Sequence, residues 1–177
     1  MRSKNPELES LKLALKTEEE GRKMYLEAAK TVTNPLAQSV LSKLAEEELH
    51  HIEAIKDFHD KLSQASGGDP KALRRQALDY DLRKKTVFEI ARRRMEATVE
   101  EDPDAINAYH AAMKFEEDGA NMYDELQGKT TSHKARALYA FLFEQESEHY
   151  RLLSETLLYL ENPALWFDEQ EKWHFEG

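Results

Sequence analysis

Hydrophobic residues recur along this chain at spacings of three and four, which is the repeat of an amphipathic helix. Stripes of this kind run through residues 6–32, 35–65, 103–127 and 132–161. No stretch of useful length alternates apolar and polar residues as a half-buried strand would. The pattern therefore predicts an all-α protein built on four long helices.

The prolines mark where helices are expected to begin, because all five follow Asn or Asp. An Asn or Asp side chain accepts hydrogen bonds from the N–H groups of a first turn, and Pro fits the first helical position. The five positions are Pro6, Pro35, Pro70, Pro103 and Pro163. The segment "GKTTS" (128–132) joins the third long helix to the fourth, and Gly128 is expected to end the third helix.

The lengths of the connections predict the topology. Short turns create two antiparallel hairpins, 6–65 and 103–161, and residues 66–102, which carry helical patterns of their own, connect them. This arrangement is a four-helix bundle with one long helical crossover. A short aromatic-rich helix over 163–175 is predicted to follow, and residues 1–177 are expected to form a single domain.

The two hairpins are copies of each other in sequence. Moving the chain against itself by 98 residues aligns 14–51 with 112–149 at 14 identities in 38 positions, without an insertion. The identities include Glu18 with Glu116, Gly21 with Gly119, Tyr25 with Tyr123, Glu48 with Glu146, and His51 with His149. Glu47 and His50, by contrast, align with Gln145 and Glu148.

The duplicated glutamates are expected to meet inside the bundle. Each lies about 15 residues from its hairpin turn, and at about 1.5 Å per residue all four reach one level. They also replace hydrophobic residues on the apolar stripes of their helices. Four buried carboxylates cannot all stay ionised without compensation, which two divalent cations would supply.

The residue types at this level match a known kind of metal site. One Glu from each of two helices, with Glu-x-x-His from each of the other two, is the ligand set of di-iron and di-manganese bundles. Such mixed ligands suit iron or manganese, although zinc also binds them. The predicted metal ligands are Glu18, Glu48, His51, Glu116, Glu146 and His149.

Other polar residues near these positions have simpler interpretations. The neighbouring charges Glu19, Glu20, Glu46, Glu47, His50, Glu117 and Glu144 are expected to be solvated or paired along the helix surface. Tyr25 and Tyr123 lie two turns beyond their glutamates, either as core tyrosines or as hydrogen-bond partners of ligands. Gly21 and Gly119 permit either a close approach of helices or space for a small substrate.

Composition excludes several classes of function. The chain has no cysteine, so it cannot form disulfides, zinc–thiolate sites or iron–sulfur clusters. A net charge of −10 argues against nucleic acid as a partner. No apolar run approaches the roughly 18 residues of a membrane span, and no signal segment is visible, so a cytoplasmic location is expected.

The motifs "EEEGRKMY…EEELHH" and "EEDGANMY…EQESEH" resemble the rubrerythrin branch of the ferritin-like superfamily. The resemblance covers both hairpins and implies a ferritin-like bundle with two iron ions on the six residues named above. It also implies reduction of hydrogen peroxide or O₂ in oxidative-stress defence or iron handling, and a homodimer. Tyr25 and Tyr123 would then tune or orient the ligands.

Two departures from the family pattern shape these expectations. Rubrerythrins carry a rubredoxin iron on four cysteines, which this chain lacks, so electrons would come from a separate donor protein. Gly119 stands where rubrerythrins use an additional glutamate, which leaves a ligand set closer to that of bacterioferritins. The alternatives are a ferroxidase or iron-storage protein, a manganese catalase-like protein, and a non-enzymatic metal-stabilised module that binds a partner.

Overall fold

A computed structural model describes residues 6–63 and 103–162, with side chains described up to residue 60 in the first range. It contains four helices: α1 Pro6–Thr31, α2 Pro35–Ser63, α3 Pro103–Lys129 and α4 His133–Glu161. The described residues include no strand, and the prediction of an all-α four-helix bundle is confirmed. The predicted crossover 66–102, the predicted C-terminal helix 163–175 and the helix start at Pro70 lie outside these ranges.

The helices begin where the sequence predicts, and the reason is visible at their caps. Asn34 Oδ1 accepts hydrogen bonds from the N–H groups of Leu36 at 2.9 Å and Ala37 at 3.1 Å, with Pro35 as the first helical residue. Ser132 caps α4 in the same way by accepting from the N–H of Ala135 at 3.2 Å. These side chains satisfy donors that a first helical turn leaves free.

The prediction that Gly128 ends the third helix is wrong. The N–H of Thr130 still donates to the carbonyl oxygen of Leu126 at 3.1 Å, so helical hydrogen bonding continues past the glycine to Lys129. Gly128 lies in open space, with no described atom within 4 Å of the position a Cβ would take. Because nothing there requires a left-handed conformation, the glycine remains helical.

The four helices enclose two apolar clusters at opposite ends of the bundle. The first cluster surrounds the α1–α2 turn and includes Val32, Leu36, Val40, Tyr109 and Leu153. The second lies toward the α3–α4 turn and includes Leu11, Ile55, Phe58, Leu138 and Leu142. Each fully buried side chain of this size stabilises the fold by about 1.5–3 kcal/mol. The two clusters fix the relative positions of the four helices where the predicted metal ligands lie between them.

None of the described helices combines the length and the apolar character that crossing a membrane requires.

Candidate metal centre

Between the two apolar clusters, every helix contributes polar side chains to the interior. On α1 the buried positions Leu11, Ala14, Glu18, Gly21 and Tyr25 follow each other at spacings of three and four. The stripe on α3 repeats this order from Ala112 to Tyr123. All six predicted metal ligands are at most 2% exposed. The structure therefore brings together the six residues that the repeat singles out.

The two histidines lie side by side at the centre of the carboxylates. The rings of His51 and His149 are stacked with centroids 5.3 Å apart and an angle of 17° between their planes. In both residues Nδ1 faces the carboxylates. His51 Nδ1 lies 2.9 Å from Glu18 Oε2, and His149 Nδ1 lies 3.5 Å from Glu116 Oε1. The two halves of the site thus repeat the same contact between hairpin helices.

The six residues form two overlapping groups of possible ligands. Glu18, Glu48, His51 and Glu146 make one group, and Glu48, Glu116, Glu146 and His149 make the other. Within each group one donor atom per residue lies within 4.8 Å of all the others. Glu48 and Glu146 belong to both groups, so these carboxylates can bridge two ions. Glu18 and Glu116 each belong to one.

Several oxygens at this level make no hydrogen bond to the described residues. They are both oxygens of Glu48, Oε2 of Glu116 and Oε1 of Glu146. Buried carboxylate oxygens without a partner are costly, since each has lost its hydration. Divalent cations would bind these oxygens and offset their negative charge. Imidazole nitrogens are close enough to share the same ions, since Nδ1 of His51 lies 3.4 Å and Nδ1 of His149 lies 3.5 Å from an oxygen of Glu48. The donor set fits a pair of metal ions.

Without an ion, protons and imidazolium charge take over the compensation. Burial, aided by the charge of Glu48, raises the pKa of Glu18 to about 8. Burial also raises the pKa of Glu146, with help from Glu116. Burial alone would raise the pKa of Glu48, but hydrogen bonds with Glu18, His149 and His51 outweigh it and hold that pKa below the usual range.

The histidines respond in the opposite sense to burial. Desolvation alone would lower the pKa of an imidazole, but the carboxylates around the pair outweigh it. Glu116 contributes most to raising the pKa of His149, which reaches about 9. Glu18 contributes most to raising the pKa of His51. The metal-free centre is therefore a proton-loaded cluster whose protons compete with cations.

The sequence model of the Rubrerythrin family matches residues 9–157. The chain belongs to the rubrerythrin family. No curated protein and no solved structure matches it. The family match and the buried cluster of glutamates and histidines together support a metal-binding site in this bundle. This agrees with the prediction that the protein binds metal ions.

In this rubrerythrin-family bundle the two predicted tyrosines hold carboxylates across the hairpins. The Tyr25 hydroxyl donates to Glu116 Oε1, and the Tyr123 hydroxyl donates to Glu18 Oε1. Burial first, then the carboxylate that each hydroxyl contacts, raises both tyrosine pKa values, so both hydroxyls stay protonated donors. Both tyrosines are thus buried core residues whose hydroxyls bond to glutamates predicted as ligands, and their role toward a metal remains a prediction.

One charge that the sequence places on the surface is buried. Glu47 is 5% exposed, because α2 carries a second buried stripe that also includes Val40 and Ala54. Its carboxylate is paired along the helix with the ammonium group of Lys43 at 3.0 Å, so it stays outside the central cluster. His50 is half-buried and also lies outside both groups. Periodicity could have revealed Glu47, which lies seven residues from both Val40 and Ala54.

Proposed function

We propose that this rubrerythrin-family protein is a non-haem di-iron oxidoreductase that reduces hydrogen peroxide or O₂. One observation carries the proposal. Four glutamates and two histidines, all buried, form two overlapping ligand groups that share Glu48 and Glu146. Two ligand groups that have two carboxylates in common fit a pair of ions better than a single ion. The buried oxygens of Glu48 and Glu116 that have no hydrogen-bond partner among the described residues also require a nearby positive charge.

Each residue has a role in the proposal that follows from its contacts. Glu18 and His51 would hold one ion, Glu116 and His149 the other, and Glu48 and Glu146 both. Bound iron would supply the electrons for reduction of the oxidant, two for each hydrogen peroxide converted to water. Tyr25 and Tyr123 fix one oxygen each of Glu116 and Glu18, and Oε2 of Glu116 is buried without a hydrogen-bond partner among the described residues.

We propose that the electrons reach the centre from another molecule. The chain has no cysteine and therefore no thiolate-bound iron of its own, so the proposal includes a separate electron-donor protein. A homodimer and a cytoplasmic role in oxidative-stress defence or iron handling complete it.

The first test measures metal content and oxidation together. Elemental analysis of protein purified without added metal is expected to give two iron ions per chain. The diferrous protein, mixed rapidly with hydrogen peroxide or O₂, should oxidise faster than free Fe²⁺ under the same conditions. Oxidation no faster than that of free Fe²⁺ would contradict the proposed activity even if iron is bound.

Two adjacent histidines provide the matched control. His51→Ala is expected to reduce iron to at most one ion per chain, because it removes a donor from the first ligand group. His50→Ala changes the same residue type one position earlier, outside both groups, and should leave the iron content unchanged. Equal losses in both variants would indicate damage to α2 rather than loss of a ligand.

The metal found also separates the alternatives. Two manganese ions with disproportionation of hydrogen peroxide would favour the manganese catalase-like function. A large hollow assembly that accumulates iron would favour storage. Zinc, with no oxidant reduction and no loss of function in Glu48→Ala, would favour a non-enzymatic binding module.

A further inference from the structure

The two halves of the centre differ at one pair of positions beside the buried carboxylates. The offset of 98 residues that equates Gly21 with Gly119 also equates Thr17 with Phe115. Both side chains are half-buried and lie one turn before their glycine, on α1 and α3. They therefore occupy equivalent places between solvent and the centre, and they differ greatly in size.

On the Phe115 side the flank is filled by an aromatic ring. A Cβ atom at Gly21 would lie 2.8 Å from Phe115 Cε1 and 3.5 Å from Glu48 Cδ. The ring thus uses the space left by the missing side chain, and it lies close to the carboxylate of Glu48, which belongs to both ligand groups. Moving a ring that is packed against the backbone of a neighbouring helix requires the surrounding atoms to move as well.

On the Thr17 side no aromatic ring of the described residues comes within 3.7 Å of the position a Cβ would take at Gly119. The three atoms nearest to a Cβ at Gly119 all belong to Glu146, at 3.3 Å, 3.6 Å and 3.7 Å. The hydroxyl of Thr17 donates to the carbonyl oxygen of Leu13 at 3.1 Å, and it lies 3.6 Å from the sulfur of Met122. The counterpart of Phe115 on this side is therefore a small side chain in contact with a flexible thioether.

We propose that a small oxidant reaches the centre past Thr17 and Gly119, and that Phe115 closes the opposite flank at Gly21. The proposal rests on the proposed function, because it assigns an access side to that same centre. All six central residues are buried, so any molecule that reaches them must displace side chains. Rotating a half-exposed threonine displaces far fewer packed atoms than moving Phe115. Thr17 and Phe115 control access in this scheme, and neither belongs to a ligand group.

The chain itself supplies the reciprocal variants that test this. Thr17→Phe places at Gly119 the ring–glycine pair that already packs at Gly21, so the bundle has a precedent for accommodating it. Phe115→Thr opens the closed flank. Thr17→Val retains the size of Thr17 and serves as the control. Thr17→Leu is a smaller obstruction that tests the same flank if Thr17→Phe does not fold.

The measurement uses azide as the probe and Co²⁺ as the bound metal, so that it does not depend on turnover. Stopped-flow visible absorption of the Co²⁺-loaded protein gives the association and dissociation rate constants of azide. Thr17→Phe should lower both rate constants by about tenfold, because passage then needs a larger rearrangement, while the Kd stays the same. Phe115→Thr should raise both, and Thr17→Val should remain within about twofold of the wild type.

The outcomes separate this proposal from the proposed function. Wild-type protein that binds no Co²⁺ would overturn both. Two Co²⁺ ions per chain with azide rates in Thr17→Phe and Thr17→Leu equal to those of the wild type would overturn the access side alone. A change in Kd with an unchanged association rate in the Thr17 variants would also overturn it, because that result indicates an altered metal site rather than an obstructed path.

Discussion

The hydroxyl groups of Tyr25 and Tyr123 are expected to increase metal affinity, and replacing either residue with Phe tests this. Both rings are fully buried in the apolar clusters that enclose the centre. Phe retains the ring and its packing, so the substitution opens no large cavity. It removes only the donor that contacts Glu116 Oε1 in one case and Glu18 Oε1 in the other.

The size of the effect follows from the contacts of each carboxylate. A hydrogen bond stabilises a protein by about 0.5–1.5 kcal/mol, and by about 1.5–3 kcal/mol when its acceptor is charged, so each variant should lose between about 0.5 and 3 kcal/mol of stability in the metal-free state. Oε2 of Glu116 already has no hydrogen-bond partner among the described residues, so Tyr25→Phe leaves this carboxylate with little support. Loss of a bond that orients a ligand typically lowers metal affinity by about 10–100-fold.

The assay combines chelator competition for Fe²⁺ or Co²⁺ with urea unfolding of the metal-free protein. Tyr109→Phe is the matched control, because the Tyr109 hydroxyl is equally buried but donates to the carbonyl oxygen of Ala37 at 3.2 Å, away from the centre. It should lose about 0.5–1.5 kcal/mol of stability with unchanged metal affinity. Equal affinities in Tyr25→Phe, Tyr123→Phe and the wild type would refute the reasoning.

Three further predictions concern ligands, protons and helix caps. Glu146→Gln should reduce the metal content of the purified protein below two ions per chain, whereas Glu144→Gln, on the exposed face of α4, should leave it unchanged. Apparent metal affinity, measured by chelator competition, should rise between pH 6 and 9, because cations displace protons from Glu18, with a pKa of about 8, and His149, with a pKa of about 9. Over the same interval the metal-free protein should lose stability in urea, since both raised pKa values favour the protonated fold and that contribution disappears as the groups lose protons; constant stability would contradict this. Asn34→Ala should lower stability by about 1 kcal/mol in urea unfolding without changing metal content.

The sequence predicts well how far along the bundle the four glutamates lie, because that position depends only on where each helix begins and on the rise per residue. Asn–Pro and Asp–Pro pairs indicate where α1, α2 and α3 begin, and a rise of about 1.5 Å per residue then places each glutamate relative to its turn. The gapless repeat adds the second hairpin at the same register. The structure confirms that Glu18, Glu48, Glu116 and Glu146 are buried together. Their role as metal ligands remains a prediction.

The hydrogen bonds between hairpins were not predictable in the same way. Tyr25 lies seven residues beyond Glu18, or about 10 Å along α1, too far to reach the glutamate of its own helix. It can reach only a glutamate on a neighbouring helix, and the sequence does not specify how the two hairpins are oriented. The structure shows α1 facing α3 in opposite directions, so each tyrosine meets the other hairpin's glutamate.

The repeat also indicates which parts of the centre need symmetry. Two ions of equal charge need matched donors, and the donors from the two hairpins are indeed identical, down to the histidine that follows each shared glutamate. Access of a small molecule has no such requirement, because one open flank suffices and a second would admit water and other solutes. On the present proposals, the identity of Glu18 with Glu116 and the difference between Thr17 and Phe115 therefore have separate physical causes. The first follows from charge compensation and the second from control of access.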